Sequence, residues 1–233
     1  MPERFGSQTG SSSKVTASSS DRLSFSDDAV RLAGRLAASL TADQRIVVFT
    51  GTAPAQGVST VAAEVAIAFA KRSQERILLL DANIDAPTLH GRFGVPSTPG
   101  LAEVLESKVD FQKALSRGDG ENFWLLPLGR SDANFIQLFG SESCKKLLQL
   151  VREQYRLIVI DAPPLLLSAP TSLLTSQVDG VVAVVASGRS HRADVIELKR
   201  VLDGLKVSLV GAVLTSPASE ESASRRNRAE WLR

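Results

Sequence analysis

Between about residue 45 and residue 215 the chain repeats one pattern. A short run of Val, Ile and Leu is followed by a polar turn and then by a longer stretch with apolar positions at helical spacing. The runs at 45–50 (RIVVFT), 76–81 (RILLLD), 123–127 (FWLLP), 157–161 (LIVID), 180–186 (GVVAVVA) and 209–215 (LVGAVLT) predict strands. They are nearly continuous rather than alternating, so both faces of each strand are expected to lie under helices. Helices are predicted over 58–72, 141–154, 169–177 and 192–205. Strand, helix and parallel strand in repetition predict an α/β fold with a doubly wound, mainly parallel sheet. No internal repeat is visible.

The two ends of the chain break this pattern. Residues 1–26, with SQTGSSSKVTASSS, hold almost nothing that could enter a core and predict a flexible arm. Residues 217–233, PASEESASRRNRAEWLR, predict a flexible basic tail, although Arg225, Arg226, Arg228 and Arg233 beside Trp231 would also suit a membrane or partner interface. A single domain is expected over 27–216. With 233 residues the chain has room for one large domain, and 43% hydrophobic against 22% charged residues excludes global disorder. A net charge of +2 gives no reason to expect nucleic acid. Cys144 is the single cysteine and His90 and His191 the two histidines, which excludes a disulfide framework and a Cys- or His-rich metal centre. No apolar run approaches the roughly 20 residues of a membrane span, and no signal-peptide core opens the chain; the expected compartment is the cytoplasm, with membrane association only through a partner.

The candidate chemistry lies at the carboxyl ends of the strands, where open α/β sheets bind ligands. The first strand runs into GTAPAQGVST and then into an apolar helix. A phosphate-binding loop of the form G-x-x-x-x-G-K-[ST] would place a lysine after its last glycine. Here Gly57 is followed by Val58, Ser59 and Thr60. Gly57 permits close backbone approach, and the amides that open the helix attract anions. Ser59 is placed to touch a magnesium ion, and Thr60 to donate to a phosphate. Val58 removes the ammonium that would bridge the β- and γ-phosphates, a kind of loss that commonly lowers rates by about 100- to 1,000-fold. A small residue in any strand-to-helix turn would look similar, so the loop alone does not decide the matter.

Two carboxylates decide it. Asp81 ends the second strand (LLLDANIDAP) and Asp161 ends the strand LIVIDAPP. Either alone would be a helix cap or turn former. Together, at two strand tips and beside a phosphate-type loop, they form the pattern that holds magnesium in this type of fold.

With these residues in place, the chain resembles the cytoplasmic domain of the bacterial tyrosine kinases that work with polysaccharide co-polymerases, a family within the MinD/ParA class of P-loop proteins. The resemblance covers about residues 27–216. It rests on GTAPAQGVSTVAAEVA, ILLLDANIDAPTLHGRFGV, TPGLAEVLESKVDFQKAL, LFGSESCKKLLQLVREQYRLIVIDAPPLL, VDGVVAVVASGRSHRADV and LVGAVLT. It implies a P-loop NTPase-type fold and ATP or ADP with magnesium as ligand. The implied binding residues are Gly57, Val58, Ser59, Thr60 and Thr215, with Ser59, Asp81 and Asp161 at the metal. A membrane polysaccharide co-polymerase, or chain-length-determinant protein, is the implied partner.

The departures bear on activity. The family loop ends in Gly-Lys-Ser-Thr, and a glycine is common where Ala55 stands. Asn83 replaces a second aspartate, Asp85 and Ala86 replace a basic pair before Pro87, Ala186 and Ser190 stand for arginine and threonine, and Thr215 for an asparagine near the base. The E-x-x-R-x-x-R motif that supports ring assembly becomes Asp28, Arg31, Gly34 and a shifted Arg35, about 100° out of place on a helix. The tail carries no tyrosine cluster, and Tyr155 is the sole tyrosine.

The expectation is therefore a degenerate, non-catalytic relative with no catalytic residues assigned. It would bind nucleotide weakly or not at all, exist as a monomer or weak dimer, and regulate or scaffold polysaccharide export. One alternative is an active autokinase or ATPase of the same pathway in which Arg189 or Lys71 replaces the lysine. Another is a MinD/ParA-like positioning ATPase, disfavoured because Thr52 and Ala53 occupy the place of that class's early loop lysine.

Overall fold

The computed structural model describes residues 27–118 and 120–216; the arm over 1–26 and the tail over 217–233 lie outside the described residues. The described chain runs α1 (Asp27–Ser39), β1 (Ile46–Gly51), α2 (Val58–Arg72), β2 (Ile77–Asp81), α3 (Leu89–Phe93), α4 (Leu101–Leu105), α5 (Phe111–Ala114), β3 (Ser116–Arg117), β4 (Phe123–Leu126), α6 (Phe135–Phe139), α7 (Glu142–Gln154), β5 (Leu157–Asp161), α8 (Ala169–Thr175), β6 (Gly180–Ala186), α9 (Arg192–Leu205) and β7 (Ser208–Thr215). One sheet takes all seven strands in the order β3-β4-β2-β5-β1-β6-β7. Every pairing is parallel except the short β3–β4 pair at one edge.

β1, β2 and β5 are buried along their whole length. Their side chains divide between two cores. Ile46, Val48, Leu78, Leu80, Ile158 and Ile160 enter the core on the face with Leu147, Val151 and Leu198. Val47, Phe49, Ile77, Leu79 and Val159 enter the other, against Ala62, Val65 and Ala66 of α2 and Leu36 of α1. A strand covered on both faces has no polar positions to spare, which is why these runs read as unbroken apolar segments.

Each predicted strand and helix is present, with no end shifted by more than two residues. Ser141 caps α7 by accepting from the Cys144 amide, and Ser168 caps α8 through the Thr171 amide. The periodicity reading missed α1, the four short helices α3 to α6, and β3. On α1, Arg31 pairs with Asp28 at 3.6 Å in an exposed contact, and Gly34 faces α2 near Arg72.

β1 has β5 on one side and β6 on the other. The chain leaves β1 for β2 beyond β5, and later leaves β5 for β6 across β1. Strand order thus reverses around β1, and the crevice at its carboxyl end is where a doubly wound sheet takes its ligand.

Candidate nucleotide and magnesium site

The loop from Thr52 to Gly57 joins buried β1 to α2. Gly57 has φ +84°, a conformation that favours glycine, and turns the chain into the helix without a side-chain cap. No hydrogen bond among the described residues uses the amides of Ala55, Gly57, Val58, Ser59 or Thr60. A helix opening with free amides and no cap suits an anion. The loop is held from within by Gln56, which is buried. Its Oε1 accepts from the Thr52 and Ala53 amides at 2.8 and 3.2 Å, and its Nε2 donates to Thr52 Oγ1 and Ser190 Oγ at 3.0 and 2.6 Å. Gly51 belongs to the same arrangement, because a Cβ there would collide with Gln56 Oε1.

Val58 borders a cleft at this loop but offers it no charge, because most of its side chain is turned into the core. It is 9% exposed, and its side chain joins the core cluster of Phe49 and Ala62. Thr60 is exposed and accepts a hydrogen bond from Arg92 Nη1 at 3.0 Å. Thr215 donates to the Gln56 and Val185 carbonyls at 3.0 and 3.3 Å, so its hydroxyl hydrogen is used in holding the loop.

The two aspartates are direct neighbours. Asp81 and Asp161 pair in register on adjacent parallel strands, and both are fully buried. Asp81 accepts from the amides of Asn83 at 3.0 Å and Leu89 at 3.3 Å. Neither oxygen of Asp161 has a hydrogen-bond partner. Burial pushes Asp161 up to about 7, with the Asp81 charge adding to the rise and the nearby Ser59 and Asn83 side chains opposing it. Burial likewise raises Asp81 to about 6, against the pull of its two amide donors and His90. An unpartnered carboxylate in a buried place is unfavourable unless a proton or cation neutralises it.

Two clefts open on the loop. One, of about 450 Å³, runs from the loop to Asn83, Asp85, Thr88 and Ala162–Pro164. The other, of about 480 Å³, is bounded by Asp28, Glu64, Ala186, Arg189 and Thr215. Gln56, Gly57 and Thr60 border both. A smaller cavity of about 230 Å³ lies at the opposite ends of the strands, beside Phe69, Arg72 and Leu157, and includes neither aspartate.

Magnesium fits the donor set. Ser59 and the two carboxylates are hard oxygen ligands, and the oxygens of Asp161, though neither carboxylate lines either cleft, are engaged by no hydrogen bond. No group of three or more His, Cys, Asp or Glu side chains gathers into a metal nest among the described residues. The ion would therefore need phosphate oxygens and water to complete its shell, which is the usual way magnesium is held.

The sequence-derived residues Gly57, Ser59, Thr60, Asp81 and Asp161 thus come together at one place, with Thr215 bracing the loop. Lys71 does not belong there: it lies 13 residues beyond Val58 on α2, about 20 Å along the helix axis. Arg189 borders the second cleft. Sequence reasoning missed Gln56, Ser190 as its partner, and Arg92. Nothing in the local sequence links Gln56 to Ser190 or Arg92 to Thr60.

This loop, helix and pair of strand-tip carboxylates on a doubly wound sheet define the P-loop class. A family profile described as "Cellulose biosynthesis protein BcsQ" matches residues 44–202. The tyrosine-protein kinase YwqD of Bacillus subtilis (strain 168) is 30% identical over 177 residues, covering 76% of this chain and 74% of that protein. The tyrosine-protein kinase ptk of Acinetobacter johnsonii is 29% identical over 158 residues, 68% of this chain but 21% of that longer protein. Among solved structures, the chimerical protein CapA2B2 superposes with a TM-score of 0.74 at 27% identity, covering 80% of this chain and 82% of that one. The chain belongs to the bacterial tyrosine-protein kinase family of P-loop proteins.

Proposed function

We propose that the chain is a nucleotide-binding, non-catalytic member of this family that regulates or scaffolds exopolysaccharide or cellulose synthesis and export. The observation that carries the reading is the contrast within one loop. Asp161 and Asp81 are kept buried and side by side against free helix amides, while Val58 turns the lysine position into core packing. The parts that bind Mg-nucleotide remain, and the cation that would follow charge onto the transferred phosphoryl group is gone.

In this reading Gly57, Ser59 and Thr60 hold phosphates through amides and hydroxyls, Asp81 and Asp161 orient magnesium waters, and Thr215 keeps the loop in place beside the base. Bound magnesium would neutralise phosphate charge and order the loop. The chain's sole tyrosine, Tyr155, is 1% exposed and lies under the Arg76 guanidinium, so it is no phosphate acceptor in the folded state. The names of the relatives support a polysaccharide pathway, and a membrane co-polymerase is the proposed partner. No described helix is long and apolar enough to cross a membrane, so membrane contact would come through that partner. With Arg31 already paired to Asp28 and Gly34 in the third motif position, the proposed state is a monomer or weak dimer.

Calorimetric titration with Mg-ATP and Mg-ADP, run beside a phosphate-release assay and light scattering, tests this. The expected result is weak binding without turnover and without a change in assembly. Sustained ATP hydrolysis, tyrosine phosphorylation, or a ring that dissolves on adding ATP would overturn it.

A further inference from the structure

Arg92 stands on α3, the short helix that follows the Asp81 loop, and reaches across to the first turn of α2. Its Nη1 donates to Thr60 Oγ1 at 3.0 Å, and its Nη2 lies 3.8 Å from Glu64 Oε1. Its Nε is buried and has no hydrogen-bond partner. A guanidinium brings five donors in a planar fork that suits phosphate, and leaving a buried one unpaired is unfavourable. Thr60 lies two residues after Val58 and borders both clefts. Because its oxygen already accepts from Arg92, its own hydrogen is left to donate to an acceptor in the clefts that Thr60 borders, alongside the free amides of the loop.

We propose that Arg92, which itself borders neither cleft, is a positioning residue for phosphate recognition, fixing the Thr60 hydroxyl so that it donates to a phosphate at the loop that Val58 leaves without a lysine. The inference rests on the reading that the clefts take a nucleotide, and it adds which residue makes the site prefer a charged phosphate chain. Asp161, buried and unpartnered beside the same loop, independently marks the place as one prepared for a charged ligand with its cation.

The test uses the full chain and fluorescent mant-ATP, mant-ADP and unlabelled adenosine as competitor, with magnesium, on the wild type, Arg92→Ala, Arg92→Lys and Thr60→Val. Removing a charge-assisted contact should weaken mant-ATP binding about 10- to 100-fold in Arg92→Ala while leaving adenosine competition unchanged. Arg92→Lys should recover part of that loss. The combined Arg92→Ala/Thr60→Val change should weaken binding by less than the product of the two single effects, as expected of residues acting in series. If Arg92→Ala melts earlier yet keeps the wild-type preference for ATP over adenosine, Arg92 merely staples α3 to α2 and the proposal is wrong. If the wild type and Val58→Lys both bind no nucleotide, the nucleotide reading fails and this proposal falls with it; binding by the wild type that is indifferent to Arg92 removes only the proposal.

Discussion

At the amino ends of the strands a partly buried aspartate is held by four hydrogen bonds, whereas at the carboxyl ends a fully buried one makes none, although the Ser59 and Asn83 side chains lie near it. Asp179, just before β6, accepts from the Arg45 and Ile46 amides at 2.8 Å each, and Arg152 grips it with two nitrogens at 2.9 and 2.7 Å. Partial burial works against its charge, but Arg152 and the two amides outweigh that and hold its carboxyl below the usual range. Asp179 thereby ties the starts of β1 and β6 to α7. Asp161 occupies the tip of β5 with both oxygens unpartnered and Asp81 in register beside it. Both aspartates end or precede a strand in the same sheet, so burial alone does not distinguish them. The difference is in what answers each charge: the first is neutralised by the protein itself, whereas the second makes no hydrogen bond and, in the proposed reading, is answered by the cation of a bound nucleotide.

The largest effect is expected at the self-sufficient end. Asp179→Ala would leave two strand-start amides and a half-buried guanidinium without their acceptor, and should destabilise the fold by about 3 kcal/mol. Chemical denaturation at pH 7 measures this. A loss below about 1 kcal/mol would show that the amino end is not held by this carboxylate.

The opposite sign is expected at Asp161. Its carboxyl titrates near 7 in the fold against an ordinary 3.8, so between those values the folded chain binds a proton that the unfolded chain has released. Stability contributed by the protonated form is therefore complete below about pH 4 and is lost as pH rises to about 7. Asp161→Asn removes that loss and should stabilise the ligand-free protein at pH 8 by about 2 kcal/mol, with the gain shrinking toward zero at pH 4. The same change should abolish any stabilisation by Mg-ADP. Thermal melts across pH, with and without Mg-ADP, read both effects; destabilisation at pH 8 would mean that Asp161 is structural like Asp179.

A third change sharpens the comparison from the loop side. Val58→Lys would put a cation within reach of the two carboxylates and of any bound phosphate. We expect Mg-ATP binding to tighten by about 1 to 3 kcal/mol, and stability to fall by about 1 kcal/mol because Val58 leaves the Phe49 and Ala62 core. Calorimetry on the two proteins checks the first part, and unchanged affinity would show that the loop does not present its helix terminus to a phosphate.

The two ends were unequally legible in the sequence. Asp81 and Asp161 could be read as strand-tip carboxylates because β2 and β5 are buried on both faces and stop in an abrupt change from Leu or Ile to Asp. The doubly wound order followed from the same continuous runs. Asp179 and Arg152 gave no such signal, because their pairing joins residues 27 apart in sequence through the end of a helix and the start of a strand. Gln56 and Ser190 are 134 residues apart, and only the pairing of β1 with β6 brings them together. The short helices α3 to α6 span four or five residues each, too few for a period to show. Helix α1, by contrast, is legible: Ala29, Ala33 and Leu36 recur at helical spacing on its buried face, opposite a charged one, although the stripe begins right beside the polar arm.

The smallest effect separates what the loop needs for its shape from what it needs for chemistry. Ala55 has φ +59°, a left-handed conformation that an L-residue with a Cβ adopts at some expense. A glycine adopts it freely, which gives a physical reason for glycine being common at this position in the family that the chain resembles. Ala55→Gly relieves the strain but also gives the unfolded chain more freedom, and the two terms oppose each other. Relief of a left-handed alanine is worth about 1 to 2 kcal/mol, and the entropy of an added glycine takes back roughly 0.5 to 1 kcal/mol. The net expectation is a gain of about 0.5 kcal/mol, read as a small rise in the denaturation midpoint. Nucleotide affinity should not change, since the amide of Ala55 is retained and the Gln56 bonds to Thr52 and Ala53 that shape the loop are untouched. A loss of stability would mean that the left-handed turn is not strained here. A marked gain in affinity with no gain in stability would mean that Ala55 holds the loop away from its ligand-binding shape, and that the carboxyl end of the sheet, unlike the amino end, is only partly organised before the ligand arrives.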